Sequence, residues 1–194
     1  MGGVIIDLDV SKTHAALAGL ANCSVDDFHL KVKAKAFFDD YEKGLLTDNE
    51  FRTSLRLFLN CSATDSQIDE AWNAMLLTIA GEKYTFLKEL KHHYEVILLS
   101  NTNNIHLKDV NRIVRNDTGH ASLDHFFHKA YYSHLLKMRK PEPEIFQHVL
   151  KENNLEKSET LFLDDNLENI KSASSLGIQT ILVTSPNMVL SLFA

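Results

Sequence analysis

Two hydrophobic rhythms divide this chain. From residue 11 to about 92, apolar side chains recur at the three- and four-residue spacing of amphipathic helices. The helix after Thr47 places Phe51, Leu55 and Phe58 on one face; the helix after Thr64 places Ile68, Ala71, Trp72, Met75, Leu76 and Ile79 likewise. Their starts are marked chemically. Thr47 with Glu50 and Thr64 with Gln67 fit the capping box, and Ser24 with Asp27 is a weaker version. Stripes of this kind predict the core of a small helical bundle, with Phe37, Phe38, Tyr41 and Trp72 mostly packed inside it.

From Tyr94 onward the rhythm changes. Val96-Ile97-Leu98-Leu99 is a short unbroken apolar run, as suits a strand buried on both faces. Ala130-Tyr131-Tyr132 is a weaker candidate, and Leu161-Phe162-Leu163 and Thr180-Ile181-Leu182-Val183 complete the set. Helical patterns lie between them, at about 104–115, 142–153 (Ile145, Phe146, Val149, Leu150) and 166–176, with Gly177 ending the last. Strands alternating with helices predict an α/β fold, a doubly wound and mostly parallel sheet. Residues 1–10 plus 93–194 then form the α/β core, and 11–92 an inserted helical unit. Binding residues in such sheets gather at the carboxyl ends of the strands.

Composition narrows the classes. A chain of 194 residues, 44% apolar and 24% charged, is that of an ordinary globular protein able to bury one sizeable core. A net charge of −6 argues against nucleic acid or an acidic membrane as partner. The Lys31, Lys33, Lys35 run reads as a solvated helix face. Cys23 and Cys61 have no metal-ligand spacing, and the chain shows neither a signal peptide nor a run of membrane length, so a cytoplasmic location is expected. His92, His93, His120, His125, His128 and His134 show no metal spacing and read as surface or loop residues. Nothing in the pattern speaks to oligomeric state, and the apolar Met188–Phe193 tail fits docking on the domain or on a partner equally.

The candidate chemistry sits at strand ends. Leu161-Phe162-Leu163 stops abruptly at Asp164 and Asp165. Adjacent acids at the mouth of a buried strand repel each other and are costly to desolvate, unless a cation joins them. Hard oxygen ligands suit Mg²⁺. The plainer reading is a polar turn in which Asp165 or Asn166 caps the next helix. Ser100-Asn101-Thr102 follows the first buried strand, and Lys140 precedes Pro141-Glu142-Pro143 at the entrance to a helix. Singly, these are a turn and a surface lysine. Together, a hydroxyl, an ammonium and an acid pair at one end of a sheet make a phosphate site.

These same segments resemble a known family. VILLSNT (96–102), KPEPEIF (140–146) and LFLDDNLENI (161–170) look like the second, third and fourth motifs of the haloacid dehalogenase-like phosphohydrolases. The resemblance covers nearly the whole chain and is nearest the branch with an all-helical cap, which includes sugar-phosphate phosphatases of the glucose-1-phosphate type. It implies a Mg²⁺-dependent phosphatase acting on a small phosphorylated metabolite, a sugar phosphate among the candidates, through an aspartyl-phosphate. By the same resemblance Ser100 and Asn101 hold a phosphate oxygen and Lys140 bridges phosphate and nucleophile. Asp164 binds Mg²⁺ directly, Asp165 directly or through water, and Asn169 either supports the metal ligands from behind or anchors its helix. The helices from about 11 to 80 would form the cap that closes over the site.

The first motif departs from the pattern. The family's usual Phe-Asp-(Leu or Phe)-Gly-Gly-Val is matched only from Met1-Gly2-Gly3-Val4, and GGVIIDLD (2–9) resembles the segment after the motif. On that register the nucleophile and the central strand would precede Met1, which is the favoured expectation. In the competing register Val4-Ile5-Ile6-Asp7-Leu8-Asp9 fills the strand position, with Asp7 as nucleophile and Asp9 as general acid. Two other functions remain open: a non-catalytic phosphate-ligand binding protein, and a hydrolytic dehalogenase. The latter needs no metal, and Asp164-Asp165 argues against it.

Overall fold

The computed structural model describes residues 1–32, 36–185 and 187–193, so Lys33 and Lys35 of the basic run lie outside the described residues. In chain order the elements are α1 (Val10–Leu20), α2 (Val25–Val32), α3 (Ala36–Glu42), α4 (Asp48–Leu59), α5 (Asp65–Asn73) and α6 (Gly81–His93). There follow β1 (Ile97–Ser100), α7 (Asn104–Thr118), β2 (Lys129–Tyr132), α8 (Ser133–Leu136) and α9 (Pro143–Glu152). The chain continues with β3 (Leu161–Asp164), α10 (Leu167–Ser175), β4 (Gln179–Leu182) and α11 (Met188–Ser191).

Helices α1–α5 form the bundle. Both threonine capping boxes are made: Thr47 and Thr64 accept from the backbone N–H of Glu50 and Gln67, whose side chains reach back to the cap N–H groups. Each cap is worth about 1 kcal/mol. The apolar stripes meet in one cluster of Leu17, Phe28, Tyr41, Phe51, Leu55 and Ile68, with Phe37, Phe38 and Trp72 packed against it. Tyr41 stacks on Phe51 with ring centroids 4.0 Å apart.

Helix α5 stops at Asn73, earlier than its stripe predicts. The Thr13 hydroxyl donates to Trp72 O at 2.9 Å and accepts from Met75 N at 3.0 Å, which turns the chain out of the helix. The following residues run beside the N-terminal segment: Asp7 N–H donates to Thr78 O, Leu77 N–H to Asp7 O and Asp9 N–H to Met75 O. The two chain crossings into the bundle are thus tied together. Helix α6 belongs on the other side. Its Tyr84 and Leu87 join Leu98, Val110, Val114 and Phe126 in a separate cluster. In packing, α6 thus sides with the strands rather than with the bundle.

The strands pair in parallel, Leu98 opposite Ala130 in β1–β2 and Leu163 opposite Ile181 in β3–β4. The pleat sends alternate residues to opposite layers. Leu98 and Leu163 face α6, α7, Val183 and Val189. Leu99 and Phe162 face the other layer, where Ile145, Phe146 and Leu150 of α9 meet Ala173 and Ile178. The result is an α/β arrangement with helices on both faces, in two two-stranded parallel sheets; among the described residues no strand joins β1 to β3.

The N-terminal residues do not fill that gap. Ile5 and Ile6 both donate their N–H to Met1 O, at 2.8 and 3.0 Å, folding the segment into a compact turn. Lys83, fully buried, then donates to Ile5 O and to Asp7 Oδ1, each at 2.9 Å. The register that slides Val4–Asp9 into the strand position is therefore overturned. Its apolar residues are buried as a loop against α6, and its backbone donors go to Met1, Thr78 and Met75. The C-terminal tail docks on the domain: Val189 is buried, and Phe193 packs on Phe86 and Tyr94. His134 is buried too, not a surface residue. Among the described residues no helix is long and apolar enough to cross a membrane.

Candidate active site

The ends of β1 and β3 and the loop before α9 converge on one point. Ser100 closes β1 and is buried, its hydroxyl donating to Asn101 O at 3.3 Å. Asn101 turns away from the strand and clamps the next loop: its Oδ1 accepts from Lys140 N–H at 2.9 Å and its Nδ2 donates to Lys140 O at 2.8 Å. Pro141 follows through a cis peptide bond, and Pro143 opens α9, where its missing N–H costs nothing.

Held by that clamp, the Lys140 side chain enters the protein. Its ammonium donates to Asp164 Oδ2 at 2.6 Å and to Leu99 O at 3.0 Å, and it lies 5.3 Å from the centroid of the Phe162 ring. Lys140 and Asp164 are each only 4% exposed, so this is a buried ion pair. Asp164 is fixed on its other side as well, Oδ1 accepting from Asn169 Nδ2 at 2.8 Å and from Asn166 N–H at 2.9 Å. Asn166 caps α10, accepting from Glu168 and Asn169 N–H, so the strand-to-helix turn builds the carboxylate's cradle. Burial pushes the Asp164 carboxyl up. The charge of Lys140, with hydrogen bonds from Lys140, Asn169 and Asn166, outweighs it and holds the group below the usual carboxylate range.

Asp165 is exposed beside this pair, against the N-terminal turn. Gly3 has φ +68°, and a Cβ there would collide with the Asp165 carboxylate, so only glycine lets the turn approach.

The structure thus brings Ser100, Asn101, Lys140, Asp164 and Asp165 together, and Asn169 with them. It does not bring Asp7 or Asp9. Asp7 is paired with Lys83, and Asp9 caps α1 by accepting from Ser11 N–H at 3.1 Å. Asp164 and Asp165 fit a hard divalent cation: one carboxylate is rigidly aimed, the other open, and both present oxygen only. Among the described residues no group of three or more His, Cys, Asp or Glu could hold an ion. Such a cation would draw its remaining ligands from water and substrate, as Mg²⁺ commonly does.

Two features escaped sequence reasoning. Lys83 reads as one more helix lysine. Arg139, next to Lys140, reaches back to the bundle, pairing with Glu42 at 2.8 Å and Asp39 at 3.0 Å, while Lys43 pairs with Glu142. Burial pushes the Glu42 carboxyl up, partly offset by Arg139. The adjacency of Arg139 to Lys140 was the only signal, and it names no partner.

The chain matches the family model described as haloacid dehalogenase-like hydrolase over residues 34–183. It is 32% identical to a D-ribitol-5-phosphate phosphatase of Bacteroides thetaiotaomicron over 92% of this chain and 86% of that protein. A solved haloacid dehalogenase family enzyme from the same organism, in complex with magnesium and inorganic phosphate, superposes with a TM-score of 0.86 at 35% identity, covering 98% of this chain and 96% of that one. A predicted hydrolase of the family from Porphyromonas gingivalis superposes with a TM-score of 0.85 at 30% identity, covering 97% and 91%.

Proposed function

The chain belongs to the haloacid dehalogenase-like hydrolases, and from that premise we propose that it is a Mg²⁺-dependent phosphatase of a small phosphorylated metabolite. The observation that carries this reading is the buried Lys140–Asp164 pair at the ends of β1 and β3, with Ser100 and Asp165 beside it. The relative that acts on D-ribitol-5-phosphate makes open-chain polyol phosphates and sugar phosphates the substrate class to try first.

In this reading Ser100 donates its hydroxyl to a phosphate oxygen, and Asn101 holds the Lys140 loop against the strand end. Lys140 offsets phosphate charge in a site where burial strengthens it. Asp164 and Asp165 would hold Mg²⁺, which when bound neutralises phosphate charge and polarises the phosphorus. Asn169 and the Asn166 N–H keep Asp164 aimed. The attacking carboxylate implied by the family is not among the described residues at this site, since Asp7 and Asp9 are engaged elsewhere.

Calorimetric titration with inorganic phosphate tests the site. Binding should require Mg²⁺ and weaken by more than about tenfold in Asp164→Asn. Phosphate binding that is unchanged in chelator or in this variant would refute the reading. Phosphate release from a panel of polyol and sugar phosphates, each assayed with and without Mg²⁺, ranks the candidate substrates.

A further inference from the structure

One buried titratable side chain takes no part in the site described above. His106 stands in the first turn of α7, buried where the sheet region meets the helical bundle. Its Nε2 lies 3.1 Å from Trp72 O, and its Nδ1 lies 3.1 Å from Asn103 Nδ2. A carbonyl oxygen only accepts and an amide nitrogen only donates, so the ring proton sits on Nε2 and Nδ1 is the acceptor. Burial pushes the imidazole down to about 4, against Trp72 O and the Asp109 charge, so the ring stays neutral and keeps that tautomer at ordinary pH.

The two partners belong to different parts of the molecule. Asn103 is fully buried and ends the loop that begins at Ser100. Its Oδ1 accepts from His106 N–H at 3.0 Å and from Trp72 Nε1–H at 3.4 Å, which turns its amide nitrogen toward the imidazole. Trp72 stands in the last turn of α5, in the bundle. Its indole stacks on His106 with centroids 4.9 Å apart and on Phe38 at 5.5 Å, and its carbonyl also accepts from the Thr13 hydroxyl. Along the loop itself, Asn101 holds Lys140, and Thr102 N–H donates to Ser133 Oγ at 2.9 Å. Each residue between Ser100 and α7 is thus fixed by a different partner, and the last of them is fixed to the bundle.

We infer that His106 is a positioning residue, which joins the Ser100–Asn103 loop to Trp72 so that loop and bundle respond together when phosphate is held at Ser100. This role rests on the phosphate site proposed above. The chemistry of the joint supports it over the simple filling of space. An apolar ring of similar size would still stack on the indole, but it would leave Trp72 O and Asn103 Nδ2 without this partner. A neutral imidazole donates on one side and accepts on the other across a rigid ring, so it carries a displacement of one partner to the other. If phosphate at Ser100 alters the joint, linkage requires the joint to alter the affinity for phosphate by the same free energy. A loop released from the joint has to be ordered again on binding, which weakens affinity.

The test uses the full chain, whose single tryptophan is Trp72, so its emission reports the joint without a label. Titration with inorganic phosphate in Mg²⁺ should change that emission with the same saturation that calorimetry gives. His106→Asn keeps an acceptor near the Nδ1 position but offers no donor to Trp72 O. It should bind phosphate at least about fivefold more weakly and lose the emission response. His106→Gln places an amide N–H near the Nε2 position, and should bind within about twofold of the native chain with the response kept. Denaturant unfolding of both variants separates positioning from stability, because a merely structural role makes affinity fall with stability in both. Emission indifferent to phosphate that calorimetry shows bound, native affinity in His106→Asn, or equal losses in the two variants would each overturn the role. Absence of Mg²⁺-dependent phosphate binding in the native chain would refute the phosphate site and this role with it, a failure read before any variant is made.

Discussion

The helical bundle and the sheet region both bury apolar clusters, yet they close differently. In the bundle, helices that are near neighbours in sequence, each with its backbone satisfied internally, bury one continuous cluster around Phe51. In the sheet region the core lies in two layers, and the strands between them depend on partners distant in sequence. The difference teaches that an apolar stripe suffices to complete a helix packing, whereas an apolar strand also needs a neighbouring backbone supplied from elsewhere in the chain.

Single substitutions can break this contrast. Phe51→Ala should have the largest effect, about 3–5 kcal/mol by denaturant unfolding, because the ring is fully buried against Tyr41 and Trp72. Phosphate binding should suffer only through that loss of stability. Asp164→Ala should cost about 3 kcal/mol by leaving Lys140 buried without its carboxylate, and should also abolish Mg²⁺-dependent phosphate binding. If both variants lose stability and binding in the same proportion, the two regions are not separable.

Lys83→Met should cost about 1–2 kcal/mol, mainly by leaving Ile5 O without its donor. Faster hydrogen exchange confined to residues 1–9 and 75–78 would mark it as the tie for the N-terminal turn. Thr47→Ala, which removes one capping box in the bundle, should cost about 1 kcal/mol and leave the site untouched.

Acid sharpens the comparison further. The Asp164 carboxyl is held below its ordinary 3.8, so the folded state binds that proton less readily than the unfolded chain. Its contribution is complete above that value and is lost as pH falls through the lowered one. Unfolding followed as the solution is acidified should therefore show a larger loss of stability in the native chain than in Asp164→Asn, which keeps only the contribution of the other lowered carboxyls such as Asp48 and Glu142.

Much of this was legible in the chain. Thr47, Thr64 and their partners three residues on marked helix starts, because a cap is a local hydrogen bond. The four strands lie within a residue or so of their apolar runs, and Asp164, Lys140 and Ser100 stood out as polar residues at strand ends. The end of α5 was not legible: its stripe continues through Ile79, and only Thr13, far away in sequence, takes over the hydrogen bonds at Trp72 and Met75. Lys83 and Arg139 were missed for the same reason, since nothing local distinguishes a buried lysine or arginine from a surface one.

By itself, then, the sequence determined which segments are helix and strand, where the helices begin, and which residue types stand at the strand ends, because period, capping and strand polarity act over a few residues. Tertiary structure alone decided that Val4–Asp9 forms a turn against Lys83 and not a strand. It alone decided that Asn101 clamps Lys140 onto Asp164, and that β1 and β3 bring their carboxyl ends to that same lysine. Those outcomes depend on which distant groups satisfy each buried donor, acceptor and charge, and that is settled only when the whole chain is packed.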